Sequence, residues 1–401
     1  MHKPISSLTG LRFAAAVCVL LSHAIPKIAP FESTPVAVRL LSSLSAEGIS
    51  LFFVLSGFVI FYNYARTIGS AAGLWSFFAA RFARLYPLYF VGMSYDLLMK
   101  LSYDQLPSPK LAALPYYATL TQSWFFIPIG DNALIYQFGL VPQISWSIST
   151  EWFFYLVFPL ICVAIASLRS ASARLWAAAV VSIVASAIAA VLVLNAPLLW
   201  HYGVEIFGHA ASGFQDSFYR WLMYFSPYTR VFEFLLGCFV AAIFEKLDAP
   251  TDAEERLGVW LTFAALAAVA LIHVLFFARA SEPSSLVNWR HLHMNFGFAV
   301  PLAILVFCCA RYHNVISRLM AKSALVRCGE ASYSLYLFHL VVIDAFRYQA
   351  AVINSPRVAI GAALQLALVI ASSIGLSLVM WFTIEAPARR CIRRLLGVWV
   401  P

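Results

Sequence analysis

Arg12 and His23 both fall in the first long apolar run of this chain of 401 residues. An ionisable side chain in such a run is costly and by default marks function. The two are 11 positions apart. At ~100° per residue that spacing returns them to within about 20° of each other, on one helix face, and roughly 16 Å apart along the axis. An arginine alone can snorkel to headgroups, and a lone histidine can simply pack; both on one face favour chemistry. Histidine is the side chain suited to general-base work near neutral pH. Arg81 and Arg84 are three apart and share a helix face near Arg66. Such a guanidinium fork suits phosphate oxygens, which it binds in bidentate fashion. The plainer reading is inner-face charge meeting lipid headgroups. Glu151, in Ser145–Tyr155, is an acid inside an apolar segment and needs a partner; His23 is expected at similar depth, and Glu47 can also reach it. Glu233, near Arg230, and Asp344 are further acids in apolar runs, and His339 can face the bundle interior.

These side chains must be carried by membrane helices. The chain is 62% hydrophobic and 11% charged, against about 45–50% and about 25% in soluble domains. A span needs about 20 mostly apolar residues. The sequence predicts ten, at 9–27, 47–64, 83–101, 146–167, 175–194, 229–246, 257–278, 294–311, 331–350 and 361–384. The segment 111–128 is apolar but rich in Pro, Gln and Ser and reads as interfacial or re-entrant. Placing both termini in the cytoplasm puts most Lys and Arg residues on that side, Lys3 and the run Arg389, Arg390, Arg393, Arg394 included. The net charge of +9 is therefore assigned to span flanks rather than to nucleic acid. The fold class expected is an all-α polytopic membrane protein of about ten transmembrane helices, residues 1–401 forming one domain. The outer loop 195–228 carries His201, Glu205, His209, Asp216 and Arg220 and is placed to cover an outer cavity. Seven cysteines without a C-x-x-C pair read as small buried hydrophobes, with no zinc site. In the second helix Ser56-Gly57 is a small pair that allows close helix approach.

Five segments, in order, resemble the acyltransferase-3 family of membrane O-acyltransferases that modify bacterial polysaccharides, nodulation factors and macrolides. Leu8 to Arg12 with His23 resembles its Arg-x10-His first helix. Leu51–Phe58 reads as its FFVLSGF helix, and Arg81–Pro87 as its R-x-x-R-[IL]-x-P stretch. Ser145–Tyr155 is similar to its WSL-x-x-E segment, and Ser332–His339 to its SYSLYL-x-H helix. One departure is Ser50, where many members carry Asp. The resemblance implies a multi-pass enzyme of the cell (inner) membrane. It would transfer an acetyl or other short acyl group from acyl-CoA, in the first place acetyl-CoA, to a hydroxyl of a carbohydrate-type or glycoconjugate acceptor, without a metal. It implies that Arg12 and His23 are essential. Combined with the topology, the expected catalytic residues are His23, Arg12 and Glu151, and the expected donor-binding residues are Arg66, Arg81 and Arg84. His23 can serve as base or as acyl carrier, with Glu151 or Glu47 in support. A multi-span transporter or flippase of a glycoconjugate is the competing class; against it, no repeat halves are visible.

Overall fold

In hydrocarbon every backbone N–H and C=O must be satisfied within its own segment, so the apolar runs can only be helices. A computed structural model describes residues 4–28, 35–102, 108–208, 213–278, 289–352 and 361–397; Lys3 and His209 lie outside them. The long helices are α1 (Ser6–Ile28), α2 (Ser45–Tyr64), α3 (Ala71–Ser102), α4 (Ser108–Ala118), α5 (Trp146–Ala166), α6 (Ala171–Leu194), α7 (Pro227–Phe244), α8 (Asp252–Ala278), α9 (Ala299–Arg311), α10 (Ser332–Val352), α11 (Ala362–Met380) and α12 (Ala386–Leu395). The strands among the described residues are β1 (Pro128–Ile129) and β2 (Asn132–Ala133), an antiparallel hairpin turning at Gly130.

Among the described residues seven stretches are long and apolar enough to cross a membrane, rather than the ten expected. The remaining three expected spans are helical but differ in kind. The 83–101 segment lies inside the 32-residue α3, which carries Arg81, Arg84, Asp96 and Lys100. Residues 294–311 yield only the 13-residue α9, because a 3-10 turn at Trp289–Met294 and a positive φ at Phe296 precede it. Segment 331–350 is α10, studded with His339, Asp344 and Arg347. The 111–128 segment is the 11-residue α4, followed by a turn in which Leu120 takes φ 55°.

Helix α2 is the axis of the bundle. It is enclosed along most of its length and packs on α1 and α7. The α2–α7 crossing rests on two glycines. A Cβ on Gly57 would lie 2.0 Å from the Phe234 carbonyl oxygen, and one on Gly237 would lie 2.1 Å from that of Val54. The backbones therefore touch, as small residues permit in membranes. Helices α6, α8 and α11 turn large apolar side chains outward, among them Trp176, Ile183, Trp260, Leu271 and Val379, as lipid-facing helices do.

Gly57→Leu or Gly237→Leu is expected to separate α2 from α7 and to destabilise the bundle by about 1–3 kcal/mol or more. Unfolding midpoints of the detergent-purified variants check this. Wild-type midpoints for both would show that the crossing yields without cost.

Candidate active site

Helix α1 runs beside α2 and α10 and presents Arg12 and His23 to a line of cavities. The cavity at the Ser6 end of α1, termed the inner one, is about 800 Å³ and is walled by Arg12, Arg81, Arg84, Arg389 and Arg393, by hydroxyl groups of Thr67, Ser70 and Ser76, and by Asn63; among the described residues no carboxylate lines it. Arg81 is buried. It donates from Nη2 to Tyr64 Oη at 2.9 Å and lies over the Tyr64 and Tyr155 rings. That fixes the α3 face on which Arg84 also stands, one turn on. A side chamber of about 350 Å³ shares Arg12, Arg84, Arg389 and Arg393 and adds Glu330 and Glu385. Glu385 accepts from Ser334 Oγ at 2.7 Å, tying α10 to the turn before α12. Arg389 and Arg393 are four residues apart and point along one face of α12.

A neck of about 60 Å³ follows, walled by Arg12, Arg84, Phe52, Phe53, Ser56, Glu151 and Tyr336 among others. Beyond it an outer cavity of about 280 Å³ contains His23, with Trp146, Tyr136, Tyr224, Tyr336, Gln143, Lys27 and Arg220. Neighbouring cavities share walls: Arg12 and Arg84 belong to the inner cavity and the neck, Ile49 and Tyr336 to the neck and the outer cavity. Arg220 comes from the 195–228 segment. It donates to Tyr136 Oη at 2.8 Å, and Asp216 beside it accepts from the Ala133 N–H. His201 and Glu205 form only an exposed pair at 3.8 Å.

The expected site residues divide. Arg12, Arg81 and Arg84 converge on one cavity. Arg66 does not line it: its guanidinium is 69% exposed and pairs with Glu245 at 3.6 Å. Glu151 does not reach His23 among the described interactions. The short helix Leu140–Ile144 tucks the start of α5 into the bundle, so Trp146 already lines the outer cavity. Glu151 then lies about 7.5 Å deeper, where it accepts from Ser56 Oγ at 2.5 Å within electrostatic reach of Arg12. Glu47 bonds His273 of α8 instead. The partner of His23 is His339, with Nδ1 of His23 at 2.8 Å from Nε2 of His339. A histidine eight residues into α10 was visible as a buried ionisable group; its contact with α1 was not.

A second knot holds α2, α7 and the segment before α9 together. Arg230 and Glu233 are fully buried. Arg230 Nη1 donates to Glu233 Oε1 (3.2 Å) and to the Met294 carbonyl (2.6 Å). The same Oε1 accepts from Ser50 Oγ (2.6 Å) and from the Phe296 N–H (3.2 Å). Ser50, where a charge was absent, thus serves as a donor to a buried carboxylate.

The helical bundle thus sets arginines at one end of a line of cavities and a histidine at the other. The family model for an acyltransferase domain, the acyltransferase-3 type, matches residues 5–382, and the chain belongs to that family. It is 29% identical over 343 residues to acyltransferase MdmB of Streptomyces mycarofaciens, covering 84% of this chain and 78% of that protein. It is 25% identical over 307 residues to O-acetyltransferase OatA of Staphylococcus aureus, covering 74% of this chain and 45% of that protein, less than half its length. No solved structure matches the chain. The chain is a multi-pass membrane O-acyltransferase.

Breaking a buried pair strands its other half, at about 3–5 kcal/mol, whereas an exposed pair contributes roughly 0–1 kcal/mol. Glu233→Ala is expected to lower the unfolding midpoint strongly, and Arg66→Ala hardly at all. Equal shifts in the two variants would refute this ranking.

Proposed function

We propose that this enzyme takes a short acyl group, acetyl first, from acyl-CoA at the inner face and places it on a hydroxyl of a carbohydrate-type acceptor held in the outer cavity. The inner face is taken to be the cytoplasmic side of the cell (inner) membrane. The observation that carries this reading is the inner cavity itself, with five arginines in its wall and no carboxylate. That composition suits a ligand with several phosphates, since guanidinium groups bind phosphate oxygens by paired, charge-assisted hydrogen bonds. Its relatives, an acyltransferase and an O-acetyltransferase, support a short acyl group as the one transferred.

Arg81 and Arg84 hold the phosphates, with Arg389 and Arg393 of the neighbouring α12 in place of Arg66. The donor's arm passes Arg12 into the neck and brings its thioester toward His23. The acceptor sits against Trp146, Tyr136 and Tyr224, whose amphipathic rings suit a sugar. His23 Nε2 removes the hydroxyl proton as the oxygen adds to the thioester carbonyl. The tetrahedral centre collapses, the carbon–sulfur bond breaks, and the proton passes to the departing sulfur. The products are an ester and free coenzyme A thiol. Glu151, held by Ser56, offsets the charge of Arg12 and Arg84 in the neck rather than assisting His23. The neck limits the acyl group to a short one.

Detergent-purified protein given acetyl-CoA and a carbohydrate acceptor is expected to release thiol as the ester forms, and His23→Ala to release none while remaining folded. Undiminished release by His23→Ala would refute the base assignment. Arg81→Ala with Arg84→Ala should raise the donor KM at least tenfold, Arg389→Ala should raise it by less, and Arg66→Ala should leave it unchanged. Failure of the wild type to bind acetyl-CoA would overturn the choice of donor.

A further inference from the structure

Two histidines 316 residues apart in sequence face each other nitrogen to nitrogen. Their ring planes differ by 9° and their centroids are 5.1 Å apart. That separation is the 2.8 Å nitrogen–nitrogen distance plus two ring radii. The rings therefore meet edge to edge, in line, and not face to face. This is the geometry in which an in-plane lone pair receives an in-plane N–H.

The direction of that bond follows from the other edge of His339. Its Nδ1 lies 2.7 Å from the Tyr336 carbonyl and 3.2 Å from the Leu335 carbonyl. Carbonyl oxygens only accept, so Nδ1 of His339 carries the proton. In a neutral imidazole the other nitrogen is then a lone pair. Nε2 of His339 must accept, and Nδ1 of His23 must donate. The proton of His23 is thereby fixed on Nδ1, and its Nε2 is left as the basic nitrogen. That nitrogen has no hydrogen-bond partner among the described residues, and the His23 ring lines the outer cavity. His339 is 1% exposed, and its helix is pinned on the same turns by Tyr336. Tyr336 Oη donates to the Ile144 carbonyl at 2.9 Å and meets Ser147 Oγ at 2.7 Å.

We propose that His339 is a positioning residue that fixes the tautomer and ring orientation of His23, a task done by a neutral imidazole anchored on its own helix's carbonyls. No carboxylate is used. An ionised acid at that place would favour the charged, non-basic form of His23, whereas a neutral acceptor orients the ring without that cost. The proposal rests on His23 being the base, and its test is chosen to stand apart from that assignment.

The test uses the full-length chain, labelled with 15N-histidine and reconstituted in lipid. The spectrum of His23→Ala identifies the His23 signals by difference. In wild type His23 should show a protonated Nδ1 and a bare Nε2. In His339→Leu, which fills the space without an acceptor, the His23 population should move toward protonated Nε2. His339→Gln places an amide oxygen near the former Nε2 and should restore the wild-type pattern. In thiol release from acetyl-CoA, His339→Leu should lower kcat by about 10²–10⁴ with donor KM unchanged, and His339→Gln should recover at least tenfold. A wild-type His23 protonated on Nε2, or full kcat in a folded His339→Leu, overturns the proposal. If wild type releases no thiol, the donor and acceptor proposed above fall, and the tautomer spectrum still decides the role of His339.

Discussion

A polar group inside a bilayer must find a partner or water, and this requirement organises the whole bundle. Helix α1 carries a guanidinium and an imidazole on one face, nearly the thickness of half a membrane apart. Neither can face lipid. The bundle therefore wraps that face with α2 and α10, and the space it encloses is lined by the groups those two side chains need. The same requirement explains Ser50–Glu233, Glu47–His273 and Ser334–Glu385, each of which ties two distant segments together. In a medium where apolar contact between helices gains little over contact with lipid, such pairs and the glycine crossings define which helices are neighbours.

The two ends of the cavity line differ as the two halves of an acyl transfer would require. The inner end is cationic and rich in hydroxyl groups, built from α1, α3 and α12. The outer end is aromatic, with amide and basic groups at its rim. Helix α1 is common to both, and Arg12 and His23 are its contribution to each. A single helix thus sets the distance between the arginine at one end of the line and the histidine at the other.

Much of the helical pattern was legible because lipid imposes a length and a composition. The runs that became α1, α2, α5, α6, α7, α8 and α11 could hardly be anything else. Helix α3 was harder to class, since its arginines belong to the site and lower its apolar character. Helix α9 was shortened by a turn that no apolar count reveals. Within the site, Arg81 and Arg84 were legible because their spacing alone puts them on one face. Glu151 was placed beside His23 from its distance to the start of an apolar run. The short helix Leu140–Ile144 lowers that register by carrying the start of α5 into the interior. Glu47 seemed available until His273, on a helix with no other marker, proved to hold it. Arg389 and Arg393 were absorbed into a tally of inner-face charge, although their four-residue spacing already put them on one face. The contact of His23 with His339 depends on tertiary packing between helices far apart in the chain, which one sequence does not encode locally.

The neck between the cavities has an electrical consequence. It encloses about 60 Å³, room for only a handful of water molecules, and two guanidinium groups stand in its wall. A cation in this poorly hydrated constriction meets two guanidinium groups against the single carboxylate of Glu151, a positive excess that repels it. The line of cavities is thereby closed to cations at this narrow point.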